Sequence, residues 1–470
     1  MEAKDSRKLF PGSHLHIDPN KATLFGLLLL LLSGKLKNSD FIETSIETEE
    51  SFWYRLLIVR TILLQKFLLS IDIPMALVGW MFEFICNFYI QNGGFFGLLI
   101  RIITFKVVFP RRNSATYVSA VGITDMRTEL SKDIVYGDDM YFPALSVMAA
   151  KAVYENAAYN KSVIEDTWGM SFIGFKNYWN DFLRKANTQV SLFRDKTADH
   201  DTIVVCFRGT SRFNAKAWST DLDLSWYEIS GIGRIHSGFL KALGMQRFVG
   251  WPKFVVPDPT RRAPLAYYDI RDTLKDLLNT SPEAKFIVTG HSLGGALAAL
   301  FPTILFYHDE RFLLERMQGV YTFGQPRVGD AEHASYMEKN LEKNGALFER
   351  YVYCNDIVPR VPMASMFKHF GTCVYNNSRY QATIVEEVPY ENYFSFLGFI
   401  PKHLNAIYEV IRSFTMRIKY GSFYKEGWLV FGVRLIGILN PGVVNHGLRD
   451  YINSTRLGKT HRAFFHLPPH

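Results

Sequence analysis

The chain has 470 residues, enough for about three domains or one large domain with insertions. Hydrophobic residues make up 48% and charged residues 21%, which excludes a disordered or low-complexity protein. Aromatic residues reach 15%, so broad apolar surfaces must be buried or set against lipid. The net charge of +8 fits nucleic acid, an anionic membrane surface or solubility alone. Cys86, Cys206, Cys354 and Cys373 are too few and too scattered for a disulfide framework or a zinc site, so a reducing compartment is expected. No metal or other cofactor is expected.

The N-terminal quarter is greasy. Residues 24–32 form a nearly pure Leu run, about half the length that spans a bilayer. As a signal peptide the run is poor, because mixed polar residues precede it and no small-residue cleavage site follows. Residues 52–71 are apolar but punctuated by Arg55, Arg60 and Lys66, and residues 73–90 carry a single acid, Glu83. The turn signal Gln91-Asn92-Gly93-Gly94 separates them from apolar residues 95–109, which Arg111-Arg112 flank. This predicts, for residues 1–115, a membrane hairpin or interfacial helices with snorkelling Lys and Arg. The plainer alternative is a helical subdomain covering a soluble core.

From about residue 118 the pattern is α/β. Short apolar runs at 190–193, 202–207, 285–289, 320–323 and 351–353 alternate with helix-like stretches at 144–157, 264–278, 295–307 and 331–340. Such alternation predicts a mostly parallel central sheet with helices on both faces, over residues 116–460, followed by a tail at 461–470. Gly231-Ile232-Gly233 is no dinucleotide loop, since His236 stands at the third glycine position.

Residues 285–289 read as a buried strand running into Gly290-His291-Ser292-Leu293-Gly294 and then a small-residue helix. This is G-x-S-x-G in its required setting, strand before and helix after. A serine on so tight a turn needs residues without a bulky Cβ two before and two after, and Gly290 and Gly294 supply them. Ser292 is therefore the candidate nucleophile. The helix N-terminus behind it offers Leu293 N–H to an oxyanion. A second donor is expected after strand 202–207, at Thr210. The following segment, residues 211–222 with Ser211, Phe213 and Trp218, suits a lid.

A nucleophilic serine needs a base and an orienting carboxylate, and in α/β-hydrolases the chain order is serine, acid, histidine. Asp356 ends a predicted strand and is favoured over Asp330, which reads as a helix cap. His446 is the candidate base; His369, His403, His461, His466 and His470 are rivals. His291 reads as a packing or hydrogen-bonding residue.

Taken as an ordered set, these motifs resemble the class 3 (fungal-type) triacylglycerol lipases. The matching residues are Phe207-Arg208-Gly209-Thr210, Ile235-His236-Ser237-Gly238-Phe239, Gly290-His291-Ser292-Leu293-Gly294, Tyr321-Thr322-Phe323-Gly324-Gln325-Pro326 and Asn355-Asp356-Ile357-Val358-Pro359. The flanking parts look most like the plant oil-body lipases. The resemblance implies an α/β-hydrolase fold, the triad Ser292, Asp356 and His446, and oxyanion donors Thr210 and Leu293. It also implies triacylglycerol as substrate at a lipid-droplet or membrane surface on the cytosolic side. Phospholipase A1 or galactolipase activity, or a non-catalytic lipase-like signalling role, are the alternatives. Nucleic-acid binding is not expected, and a homo-oligomer is open. One departure is an insert at about 380–439, rich in aromatic and basic residues, including Arg412, Arg417, Lys419, Lys425 and Arg434. With the N-terminal hairpin it is expected to give an apolar face with a basic rim, so that its deletion lowers droplet binding more than hydrolysis of a soluble short-chain ester.

Overall fold

A computed structural model describes residues 12–47, 50–389, 391, 393 and 395–458. The tail, with His461, His466 and His470, lies outside the described residues. Two sheets organise the chain. The smaller is antiparallel and joins β1 (His14–Ile17) and β2 (Ile42–Thr44) to β6 (Trp226–Ile229) and β7 (Gly233–His236). The N-terminal region therefore shares a sheet with the hydrolase region, and Gly231 sits in the β6–β7 turn with φ 76°.

The larger sheet has the order β12-β11-β10-β9-β8-β5-β4-β3. Its strands are β3 (Ser171–Asn180), β4 (Lys185–Lys196), β5 (Asp201–Phe207), β8 (Lys285–His291), β9 (Met317–Phe323), β10 (Leu347–Tyr353), β11 (Thr372–Asn376) and β12 (Ala382–Val385). β5, β8, β9, β10 and β11 run parallel, and β4, β3 and β12 are antiparallel at the edges. The parallel strands are buried on both faces: Val205 and Val288 pack into one cluster, Val204 and Ile287 into the other. Two-sided burial is why these runs read as continuously apolar in the sequence. This is the α/β-hydrolase architecture.

Helix α1 (Leu24–Ser33) lies between β1 and β2, and α2 (Phe52–Ser70), α3 (Asp72–Gln91) and α4 (Gly94–Ile103) follow β2. Gly93 and Gly94 take φ of 82° and 74° at the α3–α4 turn, a conformation that favours glycine. Arg55 does not snorkel: it turns inward and donates to Leu31 O and Glu50 O, tying α2 to the end of α1. Among the described residues only α3 is long and apolar enough to cross a membrane. Its inner stripe, however, is docked. A Cβ on Gly79 would meet Phe213 at 2.4 Å, Glu83 accepts from Ala120 N, and Asn87 bonds both N and O of Val118. Its outer stripe, including Ile73, Leu77, Met81 and Ile85, is exposed. A helix with polar groups inside and apolar groups outside inverts the usual soluble pattern.

The remaining helices that matter for the site are α5 (Tyr141–Ala152), α6 (Ala215–Asp221), α7 (Leu293–Tyr307), α8 (Phe399–Tyr420), α9 (Trp428–Gly437) and α10 (Leu448–Leu457). α5 ends before the predicted residue 157, because Asn156 caps the next helix through Tyr159 N. The insert, spanning β12, α8 and α9, differs from expectation. Its Arg412 and Arg434 form no rim but are buried in ion pairs with Asp450, and Arg434 also with Glu426. α8 repeats the inversion of α3. Ile400, Leu404, Ile407, Ile411, Phe414 and Ile418 form an exposed stripe at helical spacing, while Lys402, Glu409, Arg412 and Ser413 are buried.

Candidate active site

The site begins at the β8–α7 turn. Ser292 has φ 59° and ψ −130°, a costly conformation for a residue with a Cβ. Its N–H donates to Phe323 O on β9 at 2.9 Å, which helps to hold it there. The two flanking glycines are required by space. A Cβ on Gly290 would lie 2.2 Å from Gly294 O, and one on Gly294 would lie 2.2 Å from Phe207 O. The second contact also shows that the turn packs directly on the loop after β5, where Thr210 stands. Leu293 opens α7, so its N–H belongs to a first turn that lacks intrahelical acceptors.

Asp356 follows β10 and is fully buried. It sits 2.8 Å (Oδ2) and 3.0 Å (Oδ1) from His446 Nδ1. A carboxylate only accepts, so Nδ1 carries the proton and Nε2 carries the lone pair. Nε2 has no hydrogen-bond partner among the described residues. Val358 N–H and the Tyr451 hydroxyl, at 2.9 Å and 2.5 Å, also donate to Asp356 and fix its plane. Room for the pair comes from Gly324. At φ 56°, a Cβ there would meet Asp356 Oδ2 at 2.8 Å and His446 Nδ1 at 2.9 Å.

Ser292, His446, Thr210, Phe213 and Trp218 line one cavity of about 510 Å³. His291 reaches behind it. Its ring stacks on His446 with centroids 4.4 Å apart, Nε2 bonds His446 O at 2.9 Å, and Nδ1 lies 3.0 Å from the Tyr154 hydroxyl. Burial and the adjacent His446 push its pKa well below the ordinary imidazole value, so it is neutral. The carbonyl partner then requires the proton on Nε2, with Nδ1 accepting from Tyr154.

The rival residues stand elsewhere. Asp330 caps helix Ala331–Asn344 through His333 N. His369 bonds Pro359 O, and His403 bonds Phe399 O within α8.

The predicted lid forms α6, capped by Asn214. Trp218 sits 6.3 Å from the His446 ring, and Phe213 also faces the cavity; Ser211 instead receives a hydrogen bond from Arg208. Thr210 Oγ1 donates to Asp221 Oδ2 at 2.6 Å, so the end of α6 is bonded to the expected oxyanion loop. Burial pushes the Asp221 carboxyl up to about 7, against the Thr210 hydrogen bond and the nearby His446. The N-terminal helices hold α6 from outside: Gln65 Nε2 donates to Ser219 O at 2.9 Å and Lys216 N to Asp72 Oδ1 at 3.0 Å.

Sequence reasoning missed Tyr154, Asp221, Gly324 and Tyr451. Only Gly324 carried a signal, inside the quoted Tyr321 to Pro326 motif. The insert is also no appendage. Val430, Val433 and Ile436 of α9 line the cavity, and Asn445, next to His446, donates to Glu409 of α8 at 2.8 Å. Its removal is expected to cost hydrolysis of soluble and emulsified esters alike.

A serine elbow, a carboxylate–imidazole pair and a helix over an apolar cavity define a carboxylic ester hydrolase. Comparison with known proteins agrees: the Lipase (class 3) family matches residues 204–366. Triacylglycerol lipase OBL1 of Arabidopsis thaliana is 39% identical over 448 residues, 87% of this chain and 86% of the relative. Triacylglycerol lipase OBL1 of Ricinus communis is 32% identical over 510 residues, 97% of each chain. Among solved structures, a Rhizomucor miehei lipase propeptide complex is 25% identical, with a TM-score of 0.39 over 53% of this chain and 70% of that one. The chain belongs to the class 3 lipases, in the group of the plant enzymes named above.

Proposed function

We propose that this chain hydrolyses triacylglycerol at a lipid-droplet surface through an acyl-enzyme on Ser292. The observation that carries the reading is the His446 imidazole, bonded to Asp356 through Nδ1 with Nε2 unpartnered, in the cavity that holds Ser292. Nε2 takes the Ser292 proton as Oγ bonds to the ester carbonyl carbon. The carbonyl electron pair moves onto oxygen, which the N–H groups of Thr210 and Leu293 hold. Collapse breaks the ester C–O bond, and His446 returns the proton to the departing glycerol oxygen. Water then repeats the cycle and frees the fatty acid.

The relatives' name supplies the substrate. The droplet surface is supported by the inverted helices α3 and α8, whose outer faces are apolar and whose polar groups point inward. Apolar stripes of this length are unfavourable in water and favourable in the headgroup zone. Exposed Arg417, Lys419 and Lys425 near the end of α8 supply charge for anionic phospholipid. The docked inner face of α3 favours helices lying on the surface over a free span. The test is turnover of triolein emulsion against phosphatidylcholine and galactolipid, with Ser292→Ala as blank. Triolein is expected to be hydrolysed fastest; preferred cleavage of either polar lipid would reassign the substrate.

A further inference from the structure

The cavity above Ser292 has one wall drawn from the insert. Val430 and Val433 of α9 face it from inside, Ile436 stands at its exposed mouth, and Val443 and Val444 continue the wall toward His446. All five are branched hydrocarbon. The charged side chains that also line the cavity here, Arg434, Arg449 and Asp450, are engaged in ion pairs with one another and with Glu426 and Arg412, so the valines and Ile436 present hydrocarbon for hydrocarbon to contact.

The wall is also held rigidly. Arg434, one residue beyond Val433, is buried and bonds Glu426 Oε2 at 2.6 Å and Asp450 Oδ1 at 2.9 Å. Those partners lie on the loop before α9 and on α10, so the helix is pinned from two sides. At its far end α9 packs closely on Val444, since a Cβ on Gly437 would meet that side chain at 3.0 Å. A buried ion-pair cluster is a poor source of stability but a good means of fixing register. Here it fixes the distance between an apolar wall and the reacting serine.

We propose that α9 is the acyl-chain selector of this enzyme, with Val433 setting how much chain the site accepts. The proposal rests on the reading of Ser292 as nucleophile and adds the specificity element to it. Each methylene of an acyl chain buried against this wall raises kcat/KM by roughly 4-fold, and a side chain that fills the wall removes that gain.

The test measures kcat/KM for p-nitrophenyl butyrate, octanoate and dodecanoate with the full chain and its variants. Val433→Phe is expected to lower the dodecanoate-to-butyrate ratio of kcat/KM at least 10-fold. Val433→Ala, which removes volume, is expected to move the preferred chain length upward. Opposite shifts from one position are what a general loss of packing does not produce. Should Val433→Phe fail to fold, as read by its melting temperature, Val433→Ala and Val430→Ala carry the test. An unchanged ratio, or shifts in the same direction for bulk and truncation, would overturn the proposal while Ser292 keeps its role. Butyrate turnover that survives Ser292→Ala would instead overturn the nucleophile, while the ratios in the Val433 variants decide the wall.

Discussion

His291 donates from Nε2 to the main-chain oxygen of His446 at 2.9 Å while its ring stacks on the same residue. The residue before the serine thus positions the residue proposed to activate it. His291→Leu leaves His446 O and the Tyr154 hydroxyl without their partner, at about 1–3 kcal/mol each. Since His291 is neutral, its loss is expected to lower kcat by roughly 10-fold or more, with KM and the acid limb of the pH profile little changed. A displaced acid limb would show that His291 titrates in the active enzyme.

Gly324 tests the crowding around the Asp356–His446 pair. Gly324→Ala places a methyl 2.8 Å from Asp356 Oδ2 on a backbone at φ 56°. Turnover of a soluble ester is expected to fall at least 10-fold, with about 1–3 kcal/mol of stability lost to the strained conformation. Full activity would mean that the imidazole has room to move away from the carboxylate.

Asp221 gives a pH dependence with a definite sign. Its carboxyl titrates near 3.8 when unfolded and is raised to about 7 by burial in the folded chain. Between these values the folded state holds a proton that the unfolded state has released. Stability therefore falls as pH rises from about 4 to about 7, by at most about 1.4 kcal/mol per pH unit. Asp221→Asn should flatten the melting-temperature profile over that window. An equally steep profile in the variant would assign the slope to another group.

The bonds from Gln65 and Asp72 to α6 join the apolar N-terminal helices to the cover of the site. Removing both, as Gln65→Ala with Asp72→Ala, costs the closed position about 1 kcal/mol per bond. Hydrolysis of monomeric butyrate ester is expected to rise several-fold, narrowing the gap between monomeric and emulsified substrate. No change in that gap would mean that α6 is held by apolar contacts of the segment leading into it, such as Phe213 against Phe82.

Legibility in the sequence followed locality. The Ser292 elbow was readable because strand, turn and helix are contiguous, and β5, β8, β9 and β10 because strands buried on both faces are apolar throughout. β3 was not, since only its last residues are buried and its edge position leaves no period. His446 stands 90 residues from Asp356; its late loop made it the candidate among several histidines, and the family resemblance strengthened that choice. Tyr154, Asp221 and Tyr451 act through contacts that the chain creates only on folding. In the insert, composition correctly reported grease and charge. It did not report which face each would take, although the spacing of Ile400, Leu404, Ile407 and Ile411 marks a stripe; Arg412 and Arg434 then went inward because Asp450 and Glu426 were there to pair them.

The most direct measurement is covalent. An activated serine attacks the phosphorus of a fluorophosphonate and expels fluoride, and peptide mapping of the labelled full chain reads where the adduct lies. One adduct is expected, on the peptide holding residue 292, lost in Ser292→Ala and strongly slowed in His446→Ala. Labelling at a different serine, or undiminished labelling without the imidazole, would contradict the account.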